Sequence, residues 1–429
     1  MTPQGNFMVA AAIRPGAETE LRALLATLNL GPGVVDPTNA VLPFGQFENL
    51  HVARLVILTD ETLADLALYH TNFPDPPLYL TFLGDCDGSG EAMLAEFVTR
   101  SGAGLRRIFS HCLDFDPNTD LLRWMRAHSY APAACYINWV GRTVRQIREE
   151  AALRTALRAW LADQGAAQSS TSAVDIRRRL IEYQRANGPA LSPPGPTPAG
   201  WYIRHVLNLI AVPLLLVLLL PLLIVIAPFF LFVLRSRETS DPVITPRPDP
   251  ARVATLAAIE DFQVSNQFSA FGHIKPGRFR GWTLIAVFWL LDFSVRHLYT
   301  RGRLGRVGTI HFARWVYLDD RRRLLFASNY DGSLDSYMDD FINKVAYGLN
   351  LVFSNGIGYP RTAWLLTGGA KHELQFKYFL RRHQVPTQVW YKAYPSLSAA
   401  DLAGNTMIRE GLERTSMRED EARAWLALI

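Results

Sequence analysis

Cysteine is nearly absent from this chain of 429 residues, which carries only Cys86, Cys112 and Cys135. The number is odd, all three lie in the first half, and no pair has metal-site spacing. That argues against a disulfide framework and for a reducing compartment. An excess of one charge sign is lacking too: Lys+Arg is 44 against Asp+Glu 39, a net +5. With no zinc-finger spacing, no glycine–aromatic RNA signature and no long basic tail, nucleic acid is not expected as a partner. No phosphate loop, no H-E-x-x-H and no G-x-S-x-G elbow occurs, which removes three common nucleotide and hydrolase chemistries. The stretch MTPQGNFMVAAAIRPG has no basic region followed by an apolar run, so no cleaved signal peptide is expected.

What is present is an unusual apolar run. Leu209–Leu234 holds no charged and no polar side chain, but three prolines, Pro213, Pro221 and Pro228. As one straight helix it would measure roughly 39 Å at about 1.5 Å per residue, more than the roughly 30 Å of a bilayer's hydrocarbon. A single crossing would put the flanking segments on opposite sides of a membrane. Pro221, near the middle, can break the helix into two legs that enter and return. Arg204 precedes the run, and Arg235 and Arg237 follow it. Basic residues at both ends fit a hairpin with both ends cytoplasmic. The expectation is a monotopic membrane hairpin over 206–235. It would hold the protein on the cytoplasmic face of a bacterial inner membrane, with membrane lipid as partner.

The flanking segments, 1–163 and 259–429, read as copies of one another. Phe268 … Ile274-Lys275-Pro276-Gly277 matches Phe7 … Ile13-Arg14-Pro15-Gly16, and His311-Phe312-Ala313-Arg314 matches His51-Val52-Ala53-Arg54. Asp331-Gly332-Ser333 matches Asp87-Gly88-Ser89, and His383 … Tyr391 matches His128 … Tyr136. The order is kept throughout. Each copy reads β-α-β-β-α-β, a ferredoxin-like order that leaves one sheet face open. The expected fold class is α+β: two tandem ferredoxin-like units forming an α+β barrel, with the apolar membrane hairpin inserted. The alternative is pairing of halves between chains, a homo-oligomer. Linkers are expected at 164–205, with a short basic helix over Asp175–Ala186, and at 236–258, which is Pro-rich.

One helix breaks the likeness. Trp282–Leu291 is apolar nearly all round, whereas its counterpart Glu18–Leu28 is ordinarily amphipathic. The greasy copy suits a membrane interface, with Trp282 and Trp289 at headgroup level, or a subunit interface. Lys and Arg at 275, 278, 280, 296, 301, 303, 306, 314, 321, 322 and 323 suggest an anionic-lipid patch.

The duplication also filters candidate chemistry. Residues in both copies serve the fold; residues in one are better site candidates. His51/His311 and His128/His383 recur and are discounted. His273 has no partner, since Ala12 stands at the matching position, and it sits near Lys275, Arg278 and Arg280. His297 and His372 are unpaired as well. An imidazole at a strand end beside cations can ligate haem iron. Two ferredoxin-like units in one chain resemble the dye-decolourising peroxidase and chlorite dismutase superfamily, and Gly84-Asp85-Cys86-Asp87-Gly88 resembles the peroxidases' G-x-x-D-G. That resemblance implies a membrane-anchored haem peroxidase-like enzyme acting on lipid or lipid peroxide. Asp87 and Arg280 would be catalytic, His273, Lys275 and Arg278 would bind haem, and His273 would be the iron ligand. The stretch Asn329–Leu412 looks like a group of uncharacterised bacterial proteins and implies no activity. The alternative function is a non-catalytic membrane-associated binding or scaffold protein.

Overall fold

In strands, alternate side chains point to opposite faces, and both faces of this protein's strands are apolar. The computed structural model describes every residue except 71–75, 165–170, 301, 303, 305 and 306. The first half supplies β1 (Gln4–Ala12), β2 (Leu50–Leu58), β3 (Tyr79–Asp87) and β4 (Ala134–Ile137). The second supplies β5 (Ser265–His273), β6 (Ile310–Leu318), β7 (Arg323–Asp331) and β8 (Thr387–Lys392). They form two antiparallel sheets, β1-β3-β2-β8 and β5-β7-β6-β4.

Each half thus sends its last strand into the other half's sheet. The expectation of a self-contained four-stranded sheet in each half needs this correction. Its physical basis is the edge strand, whose unpaired backbone groups must find partners. His128 O first accepts the Ala10 N–H at 2.9 Å along the free edge of β1. The chain then crosses, and Ala134–Ile137 pairs with β6. In the second half Ser269 O accepts the Val385 N–H at 2.9 Å beside β5, and Thr387–Lys392 pairs with β2. One segment from each half therefore covers an edge of both sheets.

Helices α1 (Glu18–Ala26) and α2 (Gly90–Phe109) cover the outer face of the first sheet through Leu21, Leu25 and Phe97. Helix α3 (Ala199–Ser240) lies outside α4 (Arg278–His297). With α5 (Leu334–Lys344), α6 (Ala346–Phe353) and α7 (Glu373–His383), α4 covers the second sheet. Between the sheets lie Met8, Val56, Leu83, Phe271, Val316 and Leu325.

Two buried arginines cross this inter-sheet layer in matching ways. Arg54 donates to Phe268 O at 3.0 Å and Ser328 O at 2.9 Å. Arg314 donates to Phe7 O and Gly84 O, both at 2.9 Å. Each side chain fastens its own sheet to the opposite one. The match breaks at one position: Arg314 pairs with the Asp85 carboxylate, whereas Arg54 meets the neutral Asn329 amide. Burial and the neighbouring Arg314 push the Arg54 guanidinium down to about 9.

The hairpin expectation is also corrected. Ala199–Ser240 is one helix of 42 residues that runs through all three prolines. A turn at Pro221 would strand about four N–H and four C=O groups, with no Gly, Asn or Ser in the run to satisfy them. In hydrocarbon each such group costs several kcal/mol. Three isolated proline breaks in the hydrogen-bond ladder are the lesser cost.

The long helix is fastened at both ends to the same body. Near its start, Asn208 Oδ1 lies 2.8 Å from His297 Nε2, and the His205 and His297 rings sit 4.5 Å apart. Near its end, Phe230 packs against Phe279 at 5.2 Å. Glu238 then accepts from Thr362 Oγ1 and Trp364 N at 2.8 Å and from Leu365 N at 2.9 Å. The helix therefore runs antiparallel to α4. Residues 217–229 are exposed throughout. The most apolar window has a mean hydropathy of 3.3 and is 6% buried, so this one long apolar helix is able to anchor the protein to a membrane.

Candidate functional site

His273 ends β5 and is buried. Its Nδ1 lies 2.6 Å from Asp60 Oδ2, which is itself buried. Asp60 also accepts from Thr62 N and Oγ1, at 2.9 and 2.6 Å. Burial opposes the ionised Asp60 carboxylate, but the bonds from His273 and Thr62 outweigh it and hold its pKa below the usual value. The pair joins a loop of the first half to a strand of the second. The cavity beside His273 has about 30 Å³, against the roughly 300–1,000 Å³ of ordinary cofactor and ligand pockets. The residues around His273 do not fit a haem. No cluster of metal-ligating side chains occurs among the described residues.

Lys275 and Arg280 do come together, around a residue that sequence reasoning missed. Both pair with Asp241, just past the end of α3, with Lys275 Nζ at 3.0 Å. Lys275 is buried, and desolvation lowers it to about 8 despite that carboxylate. The two cations bolt the exit of the apolar helix to the start of α4. Arg278 is exposed on the first turn of α4. Buried cations need a counter-ion, but nothing in the sequence locates it at Asp241. Of the basic patch, Arg301, Arg303 and Arg306 lie outside the described residues.

Asp87 stands at the far end of β3 from Tyr79, which is the end nearer Asp60 and His273. The strand has nine residues, so its ends are about eight steps or roughly 27 Å apart at about 3.4 Å per residue. The structure therefore does not bring Asp87 to His273. Asp87 Oδ1 lies 2.9 Å from His51 Nε2, and Oδ2 accepts the Val144 N–H at 3.0 Å, at the start of helix Val144–Gln164. Its copy Asp331 holds His311 Nε2 at 2.7 Å and accepts the Ala399 N–H at 2.6 Å, again at a helix start. The two carboxylates do the same fold-building job.

These paired sites converge on residues that have no copy. Tyr394 hydroxyl lies 3.0 Å from His51 Nδ1. Lys392 Nζ lies 3.5 Å from His311 Nε2 and donates to Leu397 O at 2.6 Å and to Ser265 Oγ. The duplication filter removed His51 and His311 and so hid this cluster. Ile137 and Trp139 stand where Lys392 and Tyr394 would be matched, a difference that could have revealed it.

The cluster makes stability depend on pH. Burial and Lys392 push the His311 imidazole from 6.5 to about 4. The folded state then binds fewer protons than the unfolded one between those values, so stability falls as pH drops from 6.5 to 4, by about 3 kcal/mol. Burial lowers Lys392 from 10.5 to about 7, and by the same sign stability rises from pH 7 towards 10. Thermal unfolding across pH is expected to show both limbs. His311→Gln should flatten the acid limb and Lys392→Met the alkaline one.

The remaining spaces of interest flank α4. One side carries an apolar cavity of about 200 Å³, walled by Leu290, Leu291, Trp315, Leu349, Val352 and Phe353. It reaches the surface at Leu290 and Tyr347, which are 43% and 47% exposed. The other side carries a larger aromatic groove. The sheet lies beneath the helix, and Trp282 and Trp289 are exposed above. No family model, no curated protein and no solved structure matches this chain.

Proposed function

We propose that this chain is a membrane-seated lipid-binding protein, in which the two-sheet body that the halves build by exchanging their last strands rests on one face of a bilayer. The observation that carries the reading is the long apolar helix, fastened at both ends to one body and bare over 217–229. Because both of its ends are fastened to one body, the run enters lipid without carrying the two halves to opposite sides. Burial in lipid is what that much exposed apolar surface requires. Trp282, 69% exposed on α4, extends the same surface. The apolar cavity beside α4 takes one acyl chain; its volume holds roughly six to eight methylenes at interior packing density.

The test is protease protection of tags placed at the two termini of the membrane-bound protein. Met1 is tied to Thr197 Oγ1 at 2.8 Å, and Ile429 is buried against Leu153 and Leu157, so both tags belong to the body. Both are expected on one side, with lipid recovered by native mass spectrometry. Tags on opposite sides would defeat the reading.

A further inference from the structure

A groove of about 770 Å³ runs between α4 and the loop that joins β6 to β7. Its size falls within the range of ligand sites. Tyr79, Tyr130, Tyr317 and Trp289 supply aromatic walls. The Tyr317 hydroxyl is buried and has no hydrogen-bond partner among the described residues. The loop adds charge of both signs. Asp319, Asp320 and Arg321 take left-handed backbone, with φ of 51, 52 and 66°, a conformation that non-glycine residues rarely adopt in succession. Asp320 and Arg321 both line the groove and are exposed.

The three loop charges that line the groove are not equivalent. Asp319 is already occupied: it accepts from the Tyr79 hydroxyl at 2.7 Å and pairs with Arg323. Asp320 and Arg321 have no hydrogen-bond or ion-pair partner among the described residues. One free carboxylate and one free guanidinium in the same groove complement neither a simple cation nor a simple anion. They complement a zwitterion. Aromatic faces attract an ammonium group, and a guanidinium recognises phosphate oxygens.

We propose that this groove binds the zwitterionic headgroup of a phospholipid of the choline or ethanolamine type. The ammonium group lies against the aromatic rings and Asp320, and the phosphate lies against Arg321. The proposal rests on the membrane-seated reading for the source of the ligand. Trp289 lines the groove and is 40% exposed on the outward face of α4, where a bilayer lipid would enter.

The test uses the full chain in a maltoside detergent, which carries no ammonium or phosphate. Phosphocholine and phosphoethanolamine are titrated calorimetrically, with tetramethylammonium and inorganic phosphate as half-ligands. At least one zwitterion is expected to bind saturably. Asp320→Asn and Trp289→Ala should each weaken it and tetramethylammonium by about tenfold. Arg321→Gln should weaken the zwitterion and leave tetramethylammonium unchanged. Asn tolerates left-handed backbone, and Trp289 is largely outside the core, so these variants keep the fold. No saturable binding of either zwitterion, or binding indifferent to all three variants, would overturn the proposal. Vesicles of phosphatidylcholine should bind more tightly than those of phosphatidylglycerol, a difference that Asp320→Asn removes; equal binding would overturn the lipid source. The soluble probes need no bilayer. Phosphocholine binding without vesicle binding counts against the membrane seat alone, and vesicle binding without phosphocholine binding counts against the groove alone.

Discussion

Replacing Leu218, Leu219, Leu222 and Leu223 together by glutamine is expected to abolish vesicle binding and to leave the unfolding midpoint of the body unchanged. These side chains are 37–68% exposed and lie in the stretch whose residues are all exposed. They contribute nothing to the protein's own core. Immersed in lipid, each leucine side chain is worth about 1.5–3 kcal/mol. Four side chains about half exposed sum to roughly 3–6 kcal/mol, and at about 1.4 kcal/mol per factor of ten the partition falls by about two to four orders of magnitude. Glutamine keeps the helix because it loses little side-chain freedom there. Flotation with phospholipid vesicles reads the effect. Unchanged flotation would mean that the helix is covered by something other than lipid, such as a second copy of the chain. A lowered unfolding midpoint would mean that residues 217–229 pack on the body after all.

The second large effect is placed between the sheets. Arg314→Met is expected to destabilise the fold by about 3–5 kcal/mol, because it leaves the buried Asp85 carboxylate without its partner. Arg54→Met is expected to cost less, about 1–3 kcal/mol, the penalty of unsatisfied carbonyls. Arg54 faces a neutral Asn329, and its loss relieves the like-charge repulsion from Arg314 that helps lower its own pKa. Methionine fills most of the volume in both cases, which keeps the comparison on charge and hydrogen bonding. Denaturant unfolding of the two variants decides it. Equal losses would mean that the Asp85/Asn329 difference carries no energetic weight.

The repeat was legible because ordering and spacing survive even where residue types drift. The apolar run was legible because no soluble core explains twenty-odd consecutive apolar residues. The greasiness of Trp282–Leu291 stood out because its copy lacks it. Site chemistry was less legible. Lys275 and Arg280 both pair with Asp241 at the helix exit, a partner that no local pattern names. The short motif around Asp87 suggests catalysis, whereas its Asp accepts a helix-start N–H, as the matching Asp331 does. His51 and His311 recur and so look structural, yet they meet Tyr394 and Lys392, which do not recur.

By itself the sequence determined a mixed chain of helices and strands and the presence of an apolar segment long enough for a membrane. Those properties depend on periodicity and composition, which act over a few residues at a time. Only the tertiary structure decided that the last strands change sheets, that His273 faces Asp60, and that the apolar helix returns to the body at both ends. Asp60 and His273 are separated by 213 positions, and Arg54 and Ser328 by 274. No local pattern specifies partners so far apart; they are selected when every buried edge and charge must find a complement in the same packed interior.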